Sequence, residues 1–145
     1  MTDRSGQCMC GAVRFSIRDA GHDYGACHCR MCQQWAGSAL LALTVPADSI
    51  TWDGSEHIAR FQSSAWAERA WCSTCGSGLW YRMTLDTAPD DYEIPIGLLD
   101  DANGMTMTRE IFIDKKPDAF AFAGARELLT EAQVMALYGI TTEGA

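Results

Sequence analysis

The sequence predicts a mainly β fold, built from several small antiparallel sheets with a short helix near its C-terminal end. Three observations predict it. Short alternating or apolar runs recur between turn-forming residues along most of the 145-residue chain. Seven cysteines fall in close groups that punctuate those runs. Helical spacing of apolar residues is confined to the last stretch.

The elements follow in order. Val13, Phe15 and Ile17 alternate with Arg14, Ser16 and Arg18, the pattern of a half-buried strand. Residues 39–45 form a more continuously apolar strand, ended by Pro46-Ala47-Asp48. Residues 57–61 and 67–71 are shorter strands, and 79–83 is another after Cys75-Gly76-Ser77-Gly78. Tyr92, Ile94, Ile96 and Leu98 alternate through the next. Residues 105–113 make the last strong strand, stopped by Asp114-Lys115-Lys116-Pro117. Thr130 and Gln133 then fit a capping box and Gly139 a C-terminal cap, which places a helix over about 131–138. The length suits one domain, 1–145, with a motif core over 7–117 and a helical tail over 128–139.

The cysteines carry the chemistry. They stand as Cys8 and Cys10, then Cys27, Cys29 and Cys32, then Cys72 and Cys75. Close pairs let one short loop present two sulfurs to one ion, and soft thiolates select zinc, copper(I) or an iron–sulfur cluster over hard cations. Zinc is the expectation. A disulfide scaffold is the rival reading. An odd count leaves one thiol unpaired. Cysteines two apart rarely meet the geometry a disulfide needs. Residues 1–10 contain no apolar stretch of the kind that opens a secretory signal, so the chain is expected to be cytoplasmic, where thiols stay reduced.

Charge and composition exclude some functions. The net charge is −8, and thiolate–metal clusters deepen it. Such a chain lacks the basic footprint that nucleic acid requires and is not drawn to anionic membranes. No apolar run approaches the length of a membrane span.

Cys8, Cys10, Cys72 and Cys75 supply four sulfurs, the closed tetrahedral set of a structural zinc site. Gly11 and Gly76 each follow the last cysteine of a pair, where glycine lets the chain turn and aim backbone N–H groups at sulfur. Cys27, Cys29 and Cys32 offer three sulfurs from one loop, leaving a fourth position for water or substrate. A second zinc held there would bind a thiol and polarise a carbonyl. His28 is expected to project away from its cysteine neighbours and serve only as a loop residue. His22 and His57 carry no motif.

At these residues the chain resembles a known family. Cys8-x-Cys10-Gly11-x-Val13-x-Phe15, Cys27-His28-Cys29-x-x-Cys32, Gly37-Ser38 and Cys72-x-x-Cys75-Gly76-Ser77 are similar to the motifs of the glutathione-dependent formaldehyde-activating enzymes, described together with the centromere protein V family. The resemblance runs from about Gln7 to Pro117. It implies a zinc-bound β-tent fold, a structural zinc on Cys8, Cys10, Cys72 and Cys75, and a second, exposed zinc on Cys27, Cys29 and Cys32. It implies a carbon–sulfur lyase-type activity that joins formaldehyde to glutathione. Two departures stand out. Gln33 and Gln34 occupy positions where a basic residue often follows the third middle cysteine. After Pro117-Asp118, Ala119 replaces the usual aromatic, and the tail becomes helical.

Three functions follow. The first is an enzyme whose partners are a small thiol and a small aldehyde, with Cys27, Cys29 and Cys32 as the catalytic centre. Arg30, Arg60, Arg69 and Arg82 are then candidates for the carboxylates of a glutathione-like thiol. Trp35, Trp66, Trp71 and Trp80 are candidate pocket walls, against the plainer reading that they are core. The second function is a zinc-stabilised binding or scaffold module without catalysis. The third is a metal-free thiol switch on residues 27–32.

Overall fold

The computed structural model describes residues 2–140. Eleven strands and two helices follow one another among these residues. The strands are β1 (Thr2–Gln7), β2 (Arg14–Ala20), β3 (Asp23–Cys27), β4 (Leu40–Pro46), β5 (Ile50–Asp53), β6 (Ile58–Gln62), β7 (Ala67–Cys72), β8 (Gly78–Met83), β9 (Asp91–Pro95), β10 (Thr106–Ile111) and β11 (Glu127–Leu129). The helices are α1 (Arg30–Ala36) and α2 (Glu131–Leu137). A 3₁₀ turn at Ile113–Lys115 also matters below.

The mainly β expectation holds. The strands form one small antiparallel sheet, ordered β1-β2-β5, and one eight-stranded sheet, ordered β11-β10-β3-β4-β9-β8-β7-β6. Every pairing is antiparallel except at one end of the large sheet, where β10 runs parallel to both β3 and β11.

The two sheets enclose the principal core. Phe15 and Ile17 of β2 and Ile50 of β5 meet Leu43 and Val45 of β4, Ile94 of β9 and Trp80 of β8. Arg14, Ser16 and Arg18 face outward, as the alternation requires. Trp52 stacks at tilted angles on Phe15 and Trp80, and Tyr92 closes the cluster. Such aromatic packing stabilises beyond the area it buries.

Strand β4 is apolar on both faces because both are covered. Leu43 and Val45 enter the principal core, while Leu40 and Ala42 form a second cluster with Cys32, Trp35 and Tyr81. That second face becomes the floor of the site.

Helix α2 agrees with its predicted caps. The Thr130 hydroxyl accepts from the Gln133 N–H, and the Thr130 N–H donates to the Gln133 side-chain oxygen. Helix α1 was not expected, since residues 27–32 read as a loop. The Cys29 sulfur accepts the Cys32 N–H at 3.2 Å, so a metal-type residue serves as the N-cap where serine or aspartate would normally signal a helix. Gly37, at φ +82°, ends the helix in the left-handed conformation. Among the described residues, no helix is long and apolar enough to cross a membrane.

Candidate functional site

The seven sulfurs fall into the two groups expected from their spacing. Those of Cys8, Cys10, Cys72 and Cys75 all lie within 4.8 Å of one another, and so do those of Cys27, Cys29 and Cys32. Among the described residues every cysteine is a free thiol.

The four-sulfur cluster joins the two sheets. Cys8 and Cys10 sit in the turn between β1 and β2, and Cys75 in the turn between β7 and β8. The Cys8–Cys10 and Cys10–Cys72 sulfurs are 3.7 and 3.9 Å apart. A tetrahedral ion with zinc–sulfur bonds of about 2.3 Å needs edges of about 3.8 Å, so the donor set fits zinc. Cys8 and Cys72 are fully buried. The Val13 N–H donates to the Cys8 sulfur at 3.3 Å, and Ser77 Oγ lies 3.3 Å from the Cys75 sulfur. Gly11 and Gly76 adopt φ of +80° and +82°, as a sharp turn requires. Their N–H groups go to the carbonyls of Cys8 and Cys72 rather than to sulfur, correcting that part of the expectation.

The three-sulfur cluster is built differently. Cys27 ends β3, Cys29 caps α1 and Cys32 lies in its first turn. Arg69 of β7 is buried beside them. Its Nη1 and Nη2 donate to the Cys32 sulfur at 3.5 and 3.6 Å, and Nη2 reaches Cys29 at 4.0 Å. The guanidinium is sandwiched between Trp35 and Tyr81, at 5.1 and 5.0 Å from their ring centroids. Three adjacent sulfurs cannot all carry charge without a cation. The Cys29 thiol is pushed well down by hydrogen bonds from Cys27 and Cys32, with Arg69 contributing. Cys27 is pushed up, first by the hydrogen bonds that favour charge on Cys29, then by burial. A divalent ion removes that conflict, so this donor set also fits a metal.

His28 does project away from the sulfurs, but it is buried rather than a free loop residue. Its Nε2 donates to Glu110 at 2.7 Å, and Arg126 donates to the other Glu110 oxygen at 2.7 Å. Burial alone would raise the Glu110 pKa, but these two bonds hold it below its ordinary value. The cysteine loop is thereby anchored to β10. Gln33, at a position where the family often has a basic residue, donates to the backbone carbonyls of His28 and Lys115 at 2.7 and 3.0 Å. It ties α1 to the 3₁₀ turn.

The three-sulfur cluster opens into a cavity of about 640 Å³, whereas the four-sulfur cluster does not line it. The large sheet forms the floor. Arg69, Tyr81, Glu93 and Thr44 stand in one cross-strand row over β7, β8, β9 and β4. Helix α1, the 3₁₀ turn and α2 supply walls, with Met31, Lys115 and Met135 lining the space. Phe112, at φ +55°, makes the turn that brings Lys115 to the rim, a conformation that costs a bulky residue some strain.

The candidate arginines divide. Arg30 and Arg69 line the cavity. Arg60 pairs with Glu68 and lies over Trp80, and Arg82 pairs with Asp90 and lies over Tyr92. Of the four candidate tryptophans, only Trp66 lines the cavity; Trp35 packs behind Arg69, Trp80 is core, and Trp71 lies away from the cavity in β7. Tyr81, Glu93 and Arg109 line it and escaped the sequence reading. The available signal was alternation: Glu93 falls between the core residues Tyr92 and Ile94 and must face the other side of the sheet.

Glu93 is distinctive. Thr44 Oγ1 donates to both its oxygens, at 3.0 and 2.9 Å, yet burial outweighs this and raises its pKa from 4.5 to about 7. The folded protein therefore holds the Glu93 proton more tightly than the unfolded chain. Its contribution is favourable below 4.5 and is lost as pH rises through about 7. Glu93→Gln should therefore melt progressively higher than the parent as pH rises across that window. A melting-temperature difference independent of pH would refute the assignment.

Comparisons with known proteins agree with this geometry. Residues 3–115 match the family described as glutathione-dependent formaldehyde-activating enzyme. A Schizosaccharomyces pombe protein named "Uncharacterized lyase C29B12.13" is 28% identical over 135 residues, covering 93% of this chain and 96% of that one. A Halomonas elongata protein, provisionally named a glutathione-dependent formaldehyde-activating enzyme, is 34% identical over 83 residues, 52% of this chain and 53% of its own. A crystal structure of a Rhodobacter sphaeroides protein superposes with a TM-score of 0.57 at 24% identity, covering 72% of this chain and 99% of that one, and supports the fold. With the motif match spanning most of its length, the chain belongs to the glutathione-dependent formaldehyde-activating enzyme family.

Proposed function

We propose that the chain is a zinc-dependent carbon–sulfur lyase-type enzyme, acting as a single domain. It binds a small, glutathione-like thiol at the Cys27–Cys29–Cys32 centre and adds it to, or removes it from, a small aldehyde such as formaldehyde. The observation that carries this reading is the asymmetry of the clusters: four sulfurs make a complete tetrahedral set away from the cavity, whereas three face it, and it is large enough for a tripeptide-sized ligand. Zinc held by Cys8, Cys10, Cys72 and Cys75 would be structural.

When bound at the three-sulfur centre, zinc supplies Lewis acidity and lowers the pKa of a thiol at its open position. The protein's own groups do the rest. Three thiolates and a divalent ion carry a single net negative charge, which Arg69 balances in a buried setting. In the addition, the thiol S–H bond breaks and sulfur forms a bond to the carbonyl carbon. The carbonyl π pair moves to oxygen, which takes up the proton; elimination reverses each change. Tyr81 packs against the cysteine trio and lines the cavity, and burial raises its pKa, so it stays protonated. It can donate a hydrogen bond to the oxygen where charge develops. Met31, Val134 and Met135 present an apolar wall that keeps bulk water from the reacting sulfur.

Metal stoichiometry on freshly reduced protein tests the reading. Two zinc ions per chain are expected, and one in Cys32→Ser, with that variant still folded and its thiol–aldehyde rate reduced to the uncatalysed background. A parent protein that holds one zinc and adds nothing to the background rate with any thiol would favour the scaffold reading instead.

A further inference from the structure

Two opposite charges on the cavity floor, Glu93 and Arg109, face each other across the space without an ion pair, although Thr44 donates to Glu93. Among the described residues, neither Glu93 nor Arg109 forms an ion pair. Asp23 and Asp91 also line the cavity without an ion pair among the described residues, and Asp91 adds to the negative field that holds the Glu93 proton; the remaining charged groups are partnered. Lys115 pairs with Glu131 at 3.2 Å, Arg69 serves the sulfurs, and Arg30 donates to Gln33. Glu93 and Arg109 are close enough for the arginine to favour the ionised carboxylate, yet they remain apart. Uncompensated opposite charges lining one cavity are costly unless a ligand completes them.

Their positions relative to the sulfurs are informative. Cys27 pairs with Leu40 on β4, whereas Glu93 pairs with Thr44, four residues further along that strand. Glu93 also stands two strands from Arg69, whose tip touches the cysteine trio, a separation of about 10 Å between strands. That is too far for Glu93 to act on a carbon bonded to the metal-bound sulfur. Arg109 lies between, opposite Gly25, two residues before the Ile111–Cys27 pair. The Arg109 stem packs over Gly25, where a Cβ would come into ordinary contact with it at 3.4 Å.

We propose that Glu93 and Arg109 select the thiol by its far end, Glu93 receiving a protonated amine and Arg109 the carboxylate beside it. This rests on the thiol-binding reading above. The substrate class is a thiol bearing an α-amino acid group several bonds from sulfur. In an extended γ-glutamyl-cysteinyl thiol, eight bonds separate sulfur from the amine, a reach of about 9 Å. Glu93, half-protonated near neutrality in the empty cavity, becomes fully ionised when the ammonium arrives. A neutral or purely anionic thiol leaves it unpaired, and an unpaired buried group is what penalises the wrong ligand.

The test is calorimetric binding to the two-zinc protein in the absence of aldehyde, comparing glutathione with its desamino analogue, in which hydrogen replaces the γ-glutamyl amine. The parent should bind glutathione at least tenfold more tightly. Glu93→Gln should abolish that preference by weakening glutathione alone, and Arg109→Gln should weaken glutathione while its cysteine trio keeps zinc. Equal affinity of the parent for both thiols, or equal weakening of both by Glu93→Gln, overturns the assignment but leaves the thiol site standing. Failure of every thiol to bind the two-zinc parent overturns both.

Discussion

Cys72→Ser is expected to unfold the protein at physiological temperature. Cys72 is fully buried, packs within the principal core, and terminates β7, which is paired on both sides by β6 and β8. Its sulfur sits 3.9 Å from that of Cys10, on a turn belonging to the other sheet. The four-sulfur cluster is therefore a cross-link between sheets, supported by one backbone bridge between Gly6 and Leu99 and a bond from the Met9 N–H to Ser77 at 2.9 Å. Structural zinc contributes its binding free energy directly to folding, on the order of 10 kcal/mol in small zinc domains. A domain has only about 5–15 kcal/mol of net stability. Losing one sulfur leaves a weakened site, and the serine hydroxyl buries a polar group among Cys8, Val13 and Trp80. Thermal melting followed by circular dichroism should show no cooperative transition above about 37 °C, or one lowered by more than 15 °C, given that 1 kcal/mol shifts a domain of this size by about 4 °C. Cys32→Ser should change melting far less, because its cluster lies on a satellite of the core. Equal melting temperatures for the two variants would contradict this division of labour.

The grouping of the seven sulfurs into a set of four and a set of three was legible in the sequence because each pair or trio is closely spaced along the chain. The strands 39–45 and 79–83 were legible because apolar runs are also local. What escaped depended on partners distant in sequence. β1 reads Thr-Asp-Arg-Ser-Gly-Gln and carries no apolar pattern. It exists because Gly6 lets Phe15 and the Leu98 carbonyl approach within 2.4 Å of where a side chain would stand. β3 contains Gly25 and is stabilised by parallel pairing to β10, a contact more than eighty residues away in sequence. Helix α1 was hidden because its N-cap is a cysteine, already assigned to metal. The floor residues were hidden by the second covered face of the large sheet. Where both faces of a sheet are buried, a polar residue such as Glu93 reads as solvent-facing although it lines a cavity. Arg69 was picked out by charge as a receiver of substrate carboxylates, but its place in β7 turns it onto sulfur instead.

That placement makes Arg69→Met the most discriminating change at the open centre. Methionine preserves much of the apolar stem and its packing against Trp35 and Tyr81 while removing the charge. With zinc bound, the centre would keep a net negative charge facing no buried cation. Loss of such a supporting partner typically lowers metal affinity 10- to 100-fold. Without zinc in the trio, the effect on stability runs the other way. Arg69 is then a buried cation balanced by one shared thiolate, its Nε without a partner. Replacing a buried ion pair by packed apolar atoms is often neutral or stabilising. A form carrying only the structural zinc should therefore melt at the same temperature as the matching parent form, or higher, while the two-zinc form melts lower. Arg69→Lys retains the charge but cannot span two sulfurs or stack between two rings, so it should lose most of the metal affinity as well. Competition with a chromophoric chelator measures the affinities, and melting at one and at two zinc ions per chain measures the stabilities. Equal destabilisation of both forms by Arg69→Met would reduce Arg69 to a packing residue. It would also remove the charge balance on which the proposed three-sulfur zinc centre would depend.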